Sequence, residues 1–205
     1  MNMSILILCG MSASGKDTIF HKLLDAGFNP VITTTTRPMR VGEKQDVDYH
    51  FETTDNFLKM LQDGEFLETR QFNTLVDGVE DIWYYGTKLS EFKNGERNMI
   101  ILDLNGARKV IDYFGKENCC VIYINANDEI RLLRAKRRNS FDQTEWDRRF
   151  LTDKEDFSAD KVEAIANTVI CNNSDNIGST VENVENYFRQ WFAYRNRYTV
   201  YGGFI

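Results

Sequence analysis

Apolar residues along this chain fall into two patterns. "SILILC" at residues 4–9 is an unbroken apolar run, and "NMIILDL", "CCVIYINA" and "NTVICNN" repeat the pattern further on. Short continuous runs of this kind predict strands buried on both faces. Between them, "DTIFHKLLDAGF" places Ile19, Phe20, Leu23 and Leu24 at helical spacing. "GARKVIDYFG", "DEIRLLRAKRRN" and "TVENVENYFRQWFAYRNRY" read as further helices between or after the strands. Buried strands alternating with helices predict an α/β fold, with a mainly parallel sheet covered on both sides.

From residue 33 to about 90 the pattern changes. "VDYHFET", "EFLETRQF" and "IWYYG" alternate, and a helix-like "DNFLKMLQDG" lies between the first two. This predicts a small mixed lobe beside the parallel core, with the acidic stretch "NTLVDGVEDIW" as an extended hairpin or loop. The tail is aromatic: Phe188, Trp191, Phe192 and Arg195 follow helical spacing, which predicts packing on the domain, with a subunit interface as the alternative.

At 205 residues, 42% hydrophobic and 27% charged, the chain suits one domain with a substantial core. A net charge of −6 argues against a non-specific nucleic-acid surface. The apolar start is too short to cross a membrane. Cys9, Cys119, Cys120 and Cys171 sit in apolar runs without metal-site spacing, so they read as reduced, buried thiols of a soluble cytoplasmic protein.

The chemistry begins at "CGMSASGKDTIF". A glycine loop directly after an apolar strand and before an amphipathic helix forms a cradle of backbone N–H groups for phosphate, with Lys16 reaching the terminal phosphates. The residue after that lysine ordinarily carries a hydroxyl for magnesium; here it is Asp17, with Thr18 one step later. One helical step swings a side chain by about 100°, so Thr18 does not replace that hydroxyl. Asp17 is predicted to point there instead and to serve magnesium as an oxygen ligand. In "TTTTRPMRVGEKQDVDYHF", Arg37 and Arg40 flank Pro38, and guanidinium forks suit a phosphate monoester, with Tyr49 to complete the set. On charge alone the same segment reads equally as a solvated basic turn paired to Glu43 and Asp48.

This segment resembles the signature of the guanylate kinase family, T-[ST]-R-x2-[KR]-x2-[DE]-x2-G-x2-Y-x-[FY]. The chain supplies Thr35, Thr36, Arg37, Arg40, Glu43, Tyr49 and Phe51, with Asp46 in place of the glycine. The resemblance runs on through "FLKMLQDGEFLE", "YYGT", "LDLNGARKV", the arginine-rich segment and "VICNN", over roughly residues 4 to 190. It implies the three-layer fold of P-loop nucleoside monophosphate kinases, with an acceptor lobe near 33–90, a mobile lid near 134–156 and an extension near 191–205. It implies an ATP-dependent enzyme that phosphorylates GMP or dGMP with magnesium, as monomer or homodimer.

The resemblance also implies roles. Gly10, Ser12, Ala13, Ser14, Gly15, Lys16, Asp17 and Thr18 would hold ATP, and Asn172 would lie near its adenine. Thr33, Glu68 and Thr87 would meet guanine, Arg37, Arg40, Tyr49 and Tyr85 would hold the monophosphate, and Glu43 and Asp103 would belong to the same GMP site. Asp17 and Asp103 would attend the metal, and Arg138 and Arg149 would come from the lid. A carboxylate at Glu68 suits the paired N–H donors of guanine, which adenine lacks. Ile101, Asp46 and the added residues of segment 73–83 depart from the family pattern. The Gly-Lys-Asp loop also resembles ribose 1,5-bisphosphate kinases, which lack the full threonine–arginine–tyrosine signature. Guanylate-kinase-like scaffolding domains bind phosphopeptides without catalysis, but their phosphate loops are typically degraded, and here Gly10, Gly15 and Lys16 stand together.

Overall fold

The computed structural model describes residues 3–76, 79–138, 141–174 and 176–201. Residues 77–78 of the acidic stretch, 139–140 of the basic run and 202–205 of the aromatic tail lie outside them. In chain order the elements are β1 (Ser4–Cys9), α1 (Lys16–Leu24), β2 (Asn29–Pro30), β3 (Thr34–Thr35), β4 (His50–Phe51) and α2 (Thr54–Gln62). The hairpin β5 (Phe66–Val76) and β6 (Val79–Lys88) follows, then β7 (Arg97–Ile101), α3 (Leu104–Phe114) and β8 (Cys119–Asn125). The chain closes with α4 (Asp128–Lys136), α5 (Gln143–Asp156), α6 (Ala159–Ile165), β9 (Thr168–Cys171) and α7 (Ile177–Tyr201).

The central sheet has the order β2-β7-β1-β8-β9, and all its pairs are parallel. All six residues of β1 are buried because both faces are covered. Ile5, Ile7 and Cys9 face one cluster with Leu104, Val110 and Val162 of α3 and α6. Leu6 and Leu8 face another with Ile19 and Leu23 of α1 and Val184 and Phe188 of α7. Each such aliphatic side chain contributes about 1.5–3 kcal/mol on burial, so this strand anchors the loop that follows it. Cys9, Cys119 and Cys120 are buried and free as expected, whereas Cys171 is exposed, because β9 is an edge strand that turns alternate residues outward. Among the described residues no helix is long and apolar enough to cross a membrane.

A second sheet, β4-β3-β6-β5, forms the mixed lobe, with β3–β4 parallel and the other pairs antiparallel. The expected strand at "VDYHFET" reduces to the two residues of β4, while the hairpin extends through the acidic stretch to ten and eleven residues. Its register places Glu68 opposite Thr87, Arg70 opposite Tyr85 and Phe72 opposite Trp83, so these side chains share one face. The helix expected at "DNFLKMLQDG" is α2, capped where Thr53 accepts from the Asn56 N–H. The tail helix packs inward: Phe188 is buried, and the Arg195 guanidinium lies over Trp191 and donates to the Met3 carbonyl.

Candidate active site

The loop between β1 and α1 is held from beneath and from the side. An added Cβ on Gly10 would lie 2.5 Å from the Ile124 carbonyl oxygen, so no side chain fits against β8 there. Gly15 has a φ of +100°, and a Cβ on it would lie 2.3 Å from Asn172 Nδ2. Asn172 is buried; it donates to the Ser14 carbonyl at 2.8 Å and accepts from Thr180 Oγ1 at 3.1 Å. It therefore sits under the loop and does not line the cavity above it.

From the side, Ser12 is gripped at both of its peptide groups. Its N–H donates to Asp153 Oδ2 at 2.7 Å and its carbonyl accepts from Arg131 Nε at 2.9 Å. Arg131 and Asp153 pair at 2.6 Å, with the Arg131 side chain fully buried and its guanidinium near the rings of Trp146 and Phe150. Sequence reading passed over both residues. A signal was there: Trp146, Phe150 and Asp153 follow i, i+4, i+7 spacing on α5, and Arg131 lies four residues before the buried Ala135 on α4.

Above the loop a 210 Å³ cavity opens beyond the carboxyl ends of β1 and β7, where open α/β sheets take their ligands. Gly10, Ser12, Ala13, Lys16 and Asp17 line it from the loop, and Arg37, Arg40, Tyr49 and Tyr85 from the mixed lobe. Asp103 contributes from the end of β7, and Arg138 and Arg149 come from the α4–α5 region. Ser14 is buried within the loop, while Thr18 is exposed and lines neither this cavity nor its neighbour.

The cavity is oversupplied with positive charge. Among the described residues Lys16 Nζ donates only to the carbonyls of Gly10 and Met11, at 2.6 and 3.0 Å. Burial holds its pKa below the usual lysine value, partly offset by Asp17 and Asp153. Among the described residues neither Arg40 nor Arg138 has an acidic partner for its guanidinium. Burial, then the charges of Arg37 and Arg149, press the Arg40 pKa down. Arg37 differs, because it is buried and bonded to Glu43 at 2.8 Å, while the other oxygen of Glu43 accepts the Arg40 N–H at 2.8 Å. Burial opposes the Arg37 charge, but the Glu43 bond outweighs it and raises the pKa. Tyr49 lies 5.2 Å from the Arg37 guanidinium, and burial pushes its phenol well above the ordinary range.

The donor set fits a hard divalent cation only in part. The described residues contain no cluster of three His, Cys, Asp or Glu ligands. Asp17 is an exposed carboxylate at the cavity wall. One Asp103 oxygen caps α3 through the Gly106 N–H at 2.7 Å, and the other faces Arg70 Nε at 3.5 Å. A magnesium ion here would rest on Asp17, phosphate oxygens and water, which matches its preference for keeping several waters.

Thr33 and Glu43 line an adjoining cavity of 430 Å³, which shares Asp17, Arg40, Tyr49, Ile101 and Arg138 with the first. Glu68 and Thr87 lie deeper and line neither. Both are buried, and Thr87 Oγ1 donates to Glu68 Oε1 at 2.6 Å. Asp46 has a φ of +62°, in the left-handed region that explains a glycine at this point of the signature; aspartate is among the few residues that tolerate it.

The lengthened hairpin reaches the helices that carry the remaining arginines. Thr74 Oγ1 donates to Glu145 Oε1 at 3.4 Å, and the Arg149 guanidinium lies 5.9 Å from the Trp83 ring. Glu145 also binds Arg148, at 2.8 and 2.9 Å, and Arg149. Thus Arg149 is charge-compensated and Arg138 is not.

A parallel sheet with a glycine loop after its central strand, a mixed lobe and an arginine-bearing helical segment is the fold of P-loop nucleoside monophosphate kinases. A family model described as guanylate kinase matches residues 2–191, and the chain belongs to the guanylate kinase family. A guanylate kinase of Helicobacter hepaticus is 33% identical over 133 residues, which is 62% of this chain and 62% of that protein. One of Prochlorococcus marinus is 32% identical over 151 residues, covering 71% of this chain and 77% of the relative. The crystal structure of guanylate kinase from Anaplasma phagocytophilum matches with a TM-score of 0.65 and 24% identity, over 92% of this chain and 85% of that one, a likeness of fold.

Proposed function

We propose that the protein transfers the γ-phosphate of ATP to GMP or dGMP, yielding the diphosphate. The observation that carries this reading is the convergence of Lys16, Arg40 and Arg138, none held by an acidic side chain among the described residues, on one cavity beside a backbone anion cradle. That excess of charge suits two polyanions placed end to end. Phosphoryl transfer needs little covalent help from a protein. It needs donor and acceptor in line, and positive charge spread over the migrating group.

In this reading residues 10–18 hold ATP, and residues 33–90 form the acceptor lobe. The segment 134–156 is the lid whose closure excludes water. Lys16 and Arg138 neutralise the transferred group. Arg37 stays fixed by Glu43 as the rigid wall of the monophosphate site, and Arg40 completes it. Asn172 shapes the loop from below. Magnesium, held by Asp17 with phosphate oxygens and water, supplies charge neutralisation when bound. The protein works in the cytoplasm as a monomer or homodimer, and the turn of the tail helix onto its own domain favours the monomer.

A coupled assay with ATP against nucleoside monophosphates and ribose 1,5-bisphosphate, titrated with magnesium for wild type and Asp17→Ser, tests the proposal. GMP and dGMP are the expected acceptors, with the magnesium curve displaced in the variant. Turnover with a non-purine acceptor alone overturns the guanine assignment; superimposable magnesium curves remove Asp17 from the metal site.

A further inference from the structure

Arg70 has no part in the roles set out above, yet it lies at their centre. It lines the cavity opposite Tyr85 on the β5–β6 hairpin, with its guanidinium 5.5 Å from that ring. Its Nη1 is 3.4 Å from both oxygens of Glu68, and its Nε is 3.5 Å from Asp103 Oδ2. The Glu68 side chain has no exposure at all, and Thr87 takes one of its oxygens. The arrangement is packed closed: a Cβ added to Gly106 at the start of α3 would lie 3.0 Å from Arg70 Nη1 and 3.3 Å from Glu68 Oε2. Burial opposes the Arg70 charge, but Glu68 and Asp103 outweigh it and raise its pKa. Both Glu68 oxygens that an incoming base would use thus face Arg70 Nη1, and one of them also takes the Thr87 hydroxyl.

The chemistry of the two candidates for Glu68 is alike. The N1–H and C2 amino group of guanine belong to a planar guanidine-like unit, and an arginine side chain presents the same fork of N–H donors to a carboxylate. We propose that Arg70 is a specificity-determining residue that stands in for the guanine edge. It satisfies Glu68 and Asp103 while no acceptor is bound, and the acceptor base displaces it. The proposal rests on the guanine reading of the acceptor site. Two consequences follow. A buried carboxylate is never left unpaired in the free protein, and acceptor binding is weakened by the contacts that must first be broken. A base without paired donors cannot make the exchange, so Arg70 adds selectivity at the expense of affinity.

The test compares GMP binding by calorimetry, and KM and kcat for GMP and AMP, in wild type, Arg70→Met and Arg70→Lys. Arg70→Met is expected to bind GMP roughly 10-fold more tightly, the equivalent of one charge-assisted hydrogen bond no longer broken. The gain appears in Kd and KM while kcat changes little. Arg70→Lys, which keeps the charge and loses the fork, shifts in the same direction by less, and carries the test alone if Arg70→Met does not fold. Low millimolar guanidinium ion is expected to compete with GMP in Arg70→Met and not in wild type, a readout that a purely structural role would leave unmoved. Unchanged or weaker GMP binding in the folded variants overturns the proposal. Failure of the guanine reading shows differently: wild type itself neither binds nor phosphorylates GMP, and the inference falls with it.

Discussion

The loop of residues 10–16 and the acceptor face of the β5–β6 hairpin do comparable work by opposite means. The loop is made chiefly of backbone. Its shape follows from two glycines that exclude side chains, a central buried strand before it and a helix after it. The acceptor face is made of side chains that share partners, Glu68 with Thr87 and Arg70, and beside it, in the segment between β3 and β4, Glu43 binds both Arg37 and the Arg40 N–H. A backbone site keeps its character when neighbours change. A site of paired charges changes character when a single partner is exchanged.

If that contrast is right, the largest effect belongs to the one place where the loop does depend on paired charges. Arg131→Met removes the fully buried cation that pairs with Asp153 and frees the Ser12 carbonyl. It is expected to destabilise the fold by roughly 3–5 kcal/mol, read from the denaturation midpoint; a loss under about 1 kcal/mol would show that the loop holds itself. Next comes Lys16→Met, which removes a preorganised cation but no structural partner beyond two carbonyls. A fall in kcat of roughly 10²- to 10³-fold with unchanged melting is expected, measured by steady-state assay beside a thermal scan.

The smallest effect concerns the acceptor side and pH. Burial opposes the Glu43 charge, but its bonds from Arg37 and the Arg40 N–H prevail and hold its pKa below the ordinary value of 4.5. Its folded pKa thus lies below the unfolded one. The stability it contributes is present above the ordinary value and is lost as pH falls through the lower, folded value. Wild type is expected to lose more stability than Glu43→Gln on acidification through that window, followed by urea titration at each pH. Equal losses would mean that Arg37 is fixed by something other than Glu43.

The same contrast explains what could be read in advance. The parallel core was legible because β1, β7 and β8 are buried on both faces and show it as unbroken apolar runs. The glycine loop was legible because its chemistry lies in local order. Arg37, Arg40 and Tyr49 were legible as a group within one signature. Arg131 and Asp153 were passed over because a basic residue in a basic run and an acid in an acidic helix look like solvated surface until tertiary packing buries Arg131 beside Trp146 and Phe150 and pairs it with Asp153. Arg70 was hidden because its importance lies in register: only the pairing of Glu68 with Thr87 and Arg70 with Tyr85 shows that they share a face. The two-residue strands β2, β3 and β4 are too short to carry any periodicity, and α6 is a seven-residue segment of two turns, too short for its apolar repeat to stand out.

Asn172 has a consequence for the history of each molecule. Its one amide ties Ser14, near the start of the chain, to Thr180, near the finish. A nascent polypeptide leaving the ribosome therefore displays the loop long before the residue that seats it has been synthesised. The last contact under the cradle forms only when the final strand joins the sheet, so truncated translation products carry the motif without that support.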